Sequence, residues 1–586
     1  MKKLKLLPLA GVAMAMLASN ANALSWEGEN YTGSFTSTLG ASVAVRTASP
    51  GCENIATGAT GSGAPIGCLS PGVSNDQGDL NYKKGKPMSE ALRGTHELLL
   101  KNPDNDLTLM ARYSWLSDFA TPNPGISSGD GLYNGQPYPG SSKNSMYFHG
   151  ILQDAWVAKG FDLNGEKARV KVGNQVMNWG ESLFFAGGIN GTNPMDYQRL
   201  ATPGTLVKET LLAQPAINFS SAIGNGFSVE TYYQFGYKPS YFSPVGSFWS
   251  TSYLVGQGSY NYNGIGGLLG APATDGYYGL NNYLPAGGNA QGQFGGALRW
   301  QPESTQINVA AYFVNYHDKS PQVAYATTAD GYSNGGVNLN YARNNKLFGL
   351  SANAPIGEWS VGTEVSYRPK DAISLNGGAS YCGTYDYTNP SNLVGGNGQC
   401  YVNGQKYQAA INGAYTMTPS NSGSILSFLG ASGGNVFWEY TGVYYPTLLQ
   451  NYANGPVGSG NMAYGMAYNF LSTYASGSSP TATAVGTKYS AGAGLDLSVN
   501  YDNKIIEGWL VTPEIFYQRS LTGYTPNSQM QFMQGNSSVS AIVSFARNTG
   551  GWAAQLNYTQ FMGGQNNLYN PYRDRSFLAA SGSYTF

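Results

Sequence analysis

Charge is what this 586-residue chain has least of: only 11% of its residues are Asp, Glu, Lys or Arg, against about a quarter in ordinary soluble domains. A soluble protein of this size would usually carry more charge on its surface. With 31 basic and 32 acidic residues and a net charge of −1, it also lacks the basic footprint that nucleic acid requires. Long apolar runs are missing too. Nothing after Ala23 approaches the 18 or so consecutive apolar residues of a spanning helix, and mean hydropathy is −0.27, so membrane insertion by helices is excluded. There are three histidines and four cysteines, with no Cys-x-x-Cys or Cys/His spacing, P-loop, dinucleotide fingerprint or His-Glu-x-x-His pattern; no metal and no cofactor is expected.

What is present begins with an export signal. Lys2, Lys3 and Lys5 precede a small-residue apolar stretch from Leu6 to Ala18 and the A-x-A-type site Ala21-Asn22-Ala23. Residues 1–23 are read as a signal peptide, too short and Ala-rich for an anchor, and 24–586 as a single domain. Export brings the chain into an oxidising compartment. Cys52 and Cys68, and Cys382 and Cys400, lie in stretches rich in Gly, Ser and Asn; three connectivities are possible, and these surroundings favour two local disulfides.

The rest of the chain is dominated by a two-residue repeat. From Ser34 to Arg46, Phe35, Ser37, Leu39, Ala41, Val43 and Val45 alternate with small or polar residues, and the pattern recurs at Asp106–Trp115, Trp359–Arg368 and Trp552–Thr559. Aromatics end the apolar stripes, as in interfacial girdles. About fourteen to eighteen such segments of roughly ten residues are present, the length a tilted strand needs to cross a bilayer. In lipid every backbone group must be paired, so the β solution is a closed barrel. The expected fold is all-β: a transmembrane antiparallel barrel of about sixteen strands (fourteen to eighteen) with long extracellular loops. The alternating chain end, closing on Tyr584-Thr585-Phe586, resembles the assembly signal of Gram-negative outer-membrane barrels. The expected location is that membrane, and the expected partners are its lipid, the barrel-assembly machinery and a periplasmic lipid-binding protein, with no nucleic acid.

Gly-, Asn-, Tyr- and Ser-rich stretches at 47–87, 238–293, 371–408 and 444–487 are expected as the extracellular loops, with room for a short helix within 444–473. A strand starts soon after the cleavage site, so no energy-coupling plug domain is expected.

Several segments are more specific than a barrel requires: GDLNYKKGKPMSEALRGTHELLL from Gly78, VKVGNQVMNWGESLFFAGGINGTNPMD from Val170, TPGTLVKETLL from Thr202, FSVETYYQF from Phe227, FVNYHDKSP from Phe313 and EVSYRP from Glu364. In order and content they resemble the proteobacterial outer-membrane family known as domain of unknown function 1302, with Lys83 where that family carries an acidic residue after Asn-Tyr. The resemblance implies an outer-membrane protein that handles hydrophobic or lipid-like material; the family has no settled activity.

Within these segments, residues 173–196 break the strand pattern after Arg169 and Lys171, two cations opposite the apolar face. Gly180, Gly187, Gly188 and Gly191 permit positive φ, and Asn193-Pro194 favours a turn. Two placements follow. In one, Asn178–Asp196 is a structural turn with Glu181 paired to Arg169 or Lys171. In the other it folds into the lumen as a constriction, with Trp179 and Phe184 offering apolar surface and Glu181, Asp196, Arg199 and Lys208 shaping the field on a substrate path. A hydrolase built on His96, His149 or His317 with Ser320 or Ser182 is set against histidines that satisfy local hydrogen bonds, and no enzyme is expected. The expected function is a channel or uptake protein for small organic, hydrophobic molecules. The alternative is an envelope-assembly or export component passing lipid or polymer between a periplasmic partner and the surface.

Overall fold

A computed structural model describes residues 24–51, 77–123, 140–244, 246–250, 256, 291–302, 304–326, 336–376, 401–448, 463–464, 486–527, 529–564 and 570–586. The signal peptide and all four cysteines lie outside the described residues, as does the stretch 444–473 apart from Tyr444–Leu448 and Ala463–Tyr464.

Eighteen strands form the wall. They are β1 (Thr32–Arg46), β2 (Pro87–Asn102), β3 (Leu107–Asp118), β4 (His149–Leu163), β5 (Glu166–Gln175), β6 (Gln214–Gly224), β7 (Phe227–Gln234), β8 (Gln293–Trp300) and β9 (Asn308–Tyr316). They continue as β10 (Asn345–Ile356), β11 (Trp359–Asn376), β12 (Tyr401–Met417), β13 (Gly433–Tyr444), β14 (Tyr489–Asp502), β15 (Trp509–Thr522), β16 (Ser537–Arg547), β17 (Trp552–Met562) and β18 (Phe577–Thr585). Each pairs antiparallel with its neighbour, and β1 closes the barrel on β18, with Thr38 opposite Thr585 and Arg46 opposite Phe577. Phe586 extends the seam by exchanging both backbone hydrogen bonds with Ser37. The count is eighteen rather than sixteen. Closure removes the two edges that an open sheet would expose to lipid.

The alternation read from the sequence is the alternation of the wall. On β10, Phe348 and Leu350 are exposed on the outside while Leu347 and Ser351 are buried within. Outward aromatics pair across strands in two belts: Trp359 with Tyr415 (5.0 Å) and Trp552 with Tyr584 (4.7 Å) at one rim, Tyr367 with Tyr407 (4.7 Å) and Phe313 with Phe348 (5.2 Å) towards the other. Such belts sit where a ring can be half wet.

The two rims differ. At the first, connections are tight: β4 and β5 are joined by Asn164-Gly165, with φ of 52° and 87°, the left-handed pair of a two-residue hairpin whose twist matches its strands. The one long connection there carries an 11-residue helix, Pro419–Leu429, kinked at Ser422 (φ −134°), between β12 and β13. The strand ends joined by the long connections expected from the sequence all lie at the other rim. One expectation is corrected: Asp371–Asn376 and Tyr401–Gln408 are strand, not loop, because β11 and β12 keep pairing to Ser374–Tyr401 beyond the bulge at Arg368/Asp371.

At the long-loop rim the β1–β18 seam is locked by charge. Arg46 Nη2 lies 2.6 Å from Asp79 and 3.3 Å from Asp574, and its Nη1 donates to the carbonyls of Asp79 and Tyr82. Arg46 and Asp79 are fully buried, so the arginine, itself on β1, binds the short helix Gln77–Asn81 to the turn that leads into β18.

Candidate functional site

The barrel is not empty. The connection between β5 and β6, residues 176–213, turns inward. Gly173, at φ 132°, prepares the departure: a Cβ there would stand 2.1 Å from the Ala155 carbonyl, so only glycine allows β5 to bend against β4. Asn193 Nδ2 then donates to the Met177 carbonyl at 2.6 Å and closes the segment on itself.

Wall residues hold the segment by its backbone. Glu364 of β11 accepts the N–H groups of Glu181 (2.6 Å), Ser182 (3.3 Å) and Ile189 (3.1 Å). Glu439 of β13 accepts those of Leu183 (2.7 Å) and Phe184 (2.5 Å). Arg368, four residues along β11 from Glu364 on the same face, donates to the Gly187 and Gly188 carbonyls at 2.7 Å each, and Asn412 of β12 donates to the Glu181 carbonyl at 2.7 Å. Both carboxylates are buried; backbone donors supply the partners that a buried charge needs.

The far end of the segment grips the opposite side. Glu209 meets Arg93 (3.4 Å) and Thr95 of β2, and Lys208 Nζ lies 2.8 Å from Glu97 of the same strand. Gly204 packs beside Ser581 of β18. Residues 176–213 therefore cross the lumen from β11–β13 to β18 and β2.

Each residue expected at a site can now be placed. Trp179 is buried against Tyr232 and Tyr312, and its indole N–H donates to Glu230 at 2.9 Å. It belongs to an apolar core inside the barrel, with Met177, Ile189, Val314 and Leu347. Burying a side chain of that size contributes about 3 kcal/mol. Glu181 stands beside Ser351 (3.5 Å), and burial raises its carboxyl above the usual range, with Glu364 adding to the rise. The expected pairing of Glu181 with Arg169 or Lys171 is corrected: neither pairs with it among the described residues. Positive φ at Gly180 (98°) swings the chain towards Glu364 instead.

Phe184 lays its ring over Gly494 and meets Phe516 at 5.1 Å. Asp196 caps the turn Tyr197–Leu200 by accepting the Arg199 N–H at 2.9 Å, and its other oxygen faces Arg199 Nε (3.2 Å) and His149 Nδ1 (3.6 Å). Burial pushes its carboxyl up to about 6 against the pull of Arg199. Arg199 donates to the carbonyls of Ser114 and His149, tying the segment to β3 and β4. Lys171 lies 5.1 Å over the Trp156 ring, and Arg169 is exposed on the same face of β5. Asp196 and Arg199 are thus brought together, whereas Trp179, Glu181 and Phe184 serve the far wall.

The histidines have separate partners. His96 takes the Trp115 N–H at 3.1 Å and faces Ser37 at 2.9 Å, and His317 takes the Asn344 N–H at 3.1 Å.

Glu364, Glu439 and Arg368 escaped the sequence reading. The signal was there: charged residues at inward positions of alternating strands, two of them inside EVSYRP. Around the segment the walls differ in character. On β2–β4 a row runs from Lys208 through Glu97 and Arg112 (2.5 Å) to Asp154 (2.5 Å), and on β7–β8 Glu230 pairs with Arg299 at 2.7 Å. Inward positions of β16–β18 carry uncharged groups such as Ser540, Asn557, Thr559 and Ser581, with Ser540 bonded to Thr559 at 2.8 Å. Into this polar interior the segment projects Leu206 and Val207, the latter 73% exposed.

An eighteen-strand closed barrel with aromatic belts, crossed inside by one of its own loops, has the architecture of an outer-membrane porin. The chain belongs to the family described as "Protein of unknown function (DUF1302)", whose model matches residues 5–586. No curated protein matches it. Among solved structures it is similar to OccAB3 of Acinetobacter baumannii (10% identity over 94% of this chain and 99% of that one, TM-score 0.40) and OccAB1 of the same organism (10%, 97% and 99%, 0.43). It is also similar to a BenF-like porin of Pseudomonas fluorescens Pf-5 (9%, 95% and 99%, 0.39).

Proposed function

We propose that the protein is an outer-membrane channel for small organic molecules that carry an apolar part, and that residues 176–213 form its constriction. The observation that supports this most is the exposure of Leu206 and Val207 inside a polar lumen. A large apolar side chain left bare on a segment otherwise fastened by hydrogen bonds and ion pairs is a surface for an apolar solute. Covering about 100 Å² of it contributes roughly 2.5 kcal/mol, a dissociation constant of about 10 mM. Binding that weak orders a solute without trapping it. The row Lys208–Glu97–Arg112–Asp154 alongside offers donors and acceptors for the solute's polar end.

Flux through liposomes that contain only the purified protein tests the reading. Small aromatic and aliphatic solutes are expected to pass faster than sugars of equal size. Absence of flux for both classes would overturn it, and flux that needs an added periplasmic protein would point to an assembly or export component instead.

A further inference from the structure

The helix Pro419–Leu429 stands at the rim where the other connections are tight turns. Its start and end are both built in: Asn421 Oδ1 accepts the Thr418 N–H at 2.8 Å, and Gly430 stops it at φ 66°. Leu426 is buried against Met417 and Ala431, and the helix rests on Tyr415, Val436, Val499 and Tyr501. These four are outward-facing residues of β12, β13 and β14, so the helix lies on the outside of the barrel. The Tyr501 hydroxyl donates to the Leu429 carbonyl at 3.1 Å, and the Tyr415 hydroxyl meets Ser422 Oγ at 2.9 Å. Tyr415 also packs against Trp359, the rings tilted by 36°, in the aromatic belt of this rim, which fixes the height of the helix at the belt.

A second apolar flank of the helix is bare. Phe428 is 89% exposed and Ile425 55%, with Leu429 beside them; their spacing of three and four residues puts them on one stripe. The neighbouring turn between β14 and β15 adds Ile505 and Ile506, both exposed. Lys504 joins the two elements by donating to the carbonyls of Gly430 (3.0 Å) and Ala431 (3.1 Å). The result is a patch of five large apolar side chains, three on a helix with no charged residue and two on the turn that Lys504 fastens to it.

We propose that this patch lies in the membrane, with the helix embedded at the headgroup boundary of the leaflet at the tight-turn rim and Phe428, Ile425 and Leu429 among acyl chains. Continuity decides the occupant. The patch prolongs the lipid-facing surface of β12–β14, in which Leu495 and Leu497 are exposed, and the helix fills the corner between wall and headgroups. One apolar flank meets the barrel and the next meets lipid, while Ser424 and Ser427 face water. An amphipathic helix lying in the interface has this distribution. Lys504, beside the last helical carbonyls, is placed to meet lipid phosphates.

The test uses the full barrel with its four cysteines changed to serine, carrying Phe428→Cys or, separately, Ile505→Cys, each labelled with an environment-sensitive fluorophore. Asp104→Cys, on an exposed turn of the same rim, is the aqueous reference, and folding is checked for each by the heat-dependent gel shift. In phosphatidylethanolamine–phosphatidylglycerol vesicles, the labels at 428 and 505 are expected to lose most of their emission to nitroxide-bearing lipid and little to iodide, the reverse of the label at 104. Iodide quenching at 428 and 505 equal to that at 104 would place the patch in water, leave it to a soluble protein partner and overturn the proposal.

Discussion

Glu364 accepts the backbone N–H of Glu181 at 2.6 Å across the lumen, so one acidic residue of the wall holds the main chain of another. The same carboxylate takes the amides of Ser182 and Ile189. Glu364→Ala leaves three donors without an acceptor, a loss of about 3–5 kcal/mol of docking. Single-channel conductance is expected to rise while the barrel's unfolding temperature stays nearly constant. Unchanged conductance would mean that the segment does not limit the pore.

Trp179→Ala with Glu181→Ala removes the indole that joins the inner apolar core to Glu230 and the carboxylate beside Ser351. Conductance or solute uptake should change with the amount of folded protein in the membrane preserved. If only folding yield falls, the role of these residues is structural.

Val207→Asp places a charge where the bare apolar surface now stands. Passage of apolar solutes through liposomes should slow several-fold, by the loss of about 1–2 kcal/mol of contact, while small sugars pass as before. Equal slowing of both would indicate a blocked lumen rather than a lost contact.

The Asp196 carboxyl titrates at about 6 in the fold, above its ordinary value near 4. The folded state thus favours the protonated form. Its contribution to stability is complete below about pH 4 and is lost as pH rises through about 6. Unfolding temperature in detergent should fall between pH 5 and 7.5, and Asp196→Asn should flatten that dependence. A slope that survives the substitution would assign it to another group.

Arg46→Ala takes one of two buried cations from the β1–β18 seam, removes the guanidinium that Asp79 and Asp574 share at 2.6 and 3.3 Å, and leaves Arg575, 4.0 Å from Asp79, as the remaining one. The cost is about 3–5 kcal/mol, read as a lower temperature for the heat-dependent gel shift. An unchanged temperature would show that the seam closes on backbone pairing alone.

The wall was legible because lipid on one side and water on the other write a two-residue period into every strand, as at Phe348, Leu350 and their inward neighbours. Periodicity says less about where pairing stops: β11 and β12 run on past the expected loop boundary because their backbones keep a partner above the membrane. The helix Pro419–Leu429 had signals that went unread, with Pro419 at its first turn and Gly430 just past its end. The inward turn at 173–196 was legible as a break, from its glycines and Asn-Pro. Its partners were not, since Glu364 and Glu439 lie far along the chain from the amides they receive, and only closure of the barrel brings them together.

Nearly every amino acid carries the amide group by which Glu364 and Glu439 hold residues 181–184. Proline aside, the side chains at these positions are free to vary while the clasp stays the same. With residues 176–213 as the proposed constriction, one barrel can therefore be refitted for different solutes by exchanging the side chains of a few loop residues, as a lock is rekeyed without recasting its body.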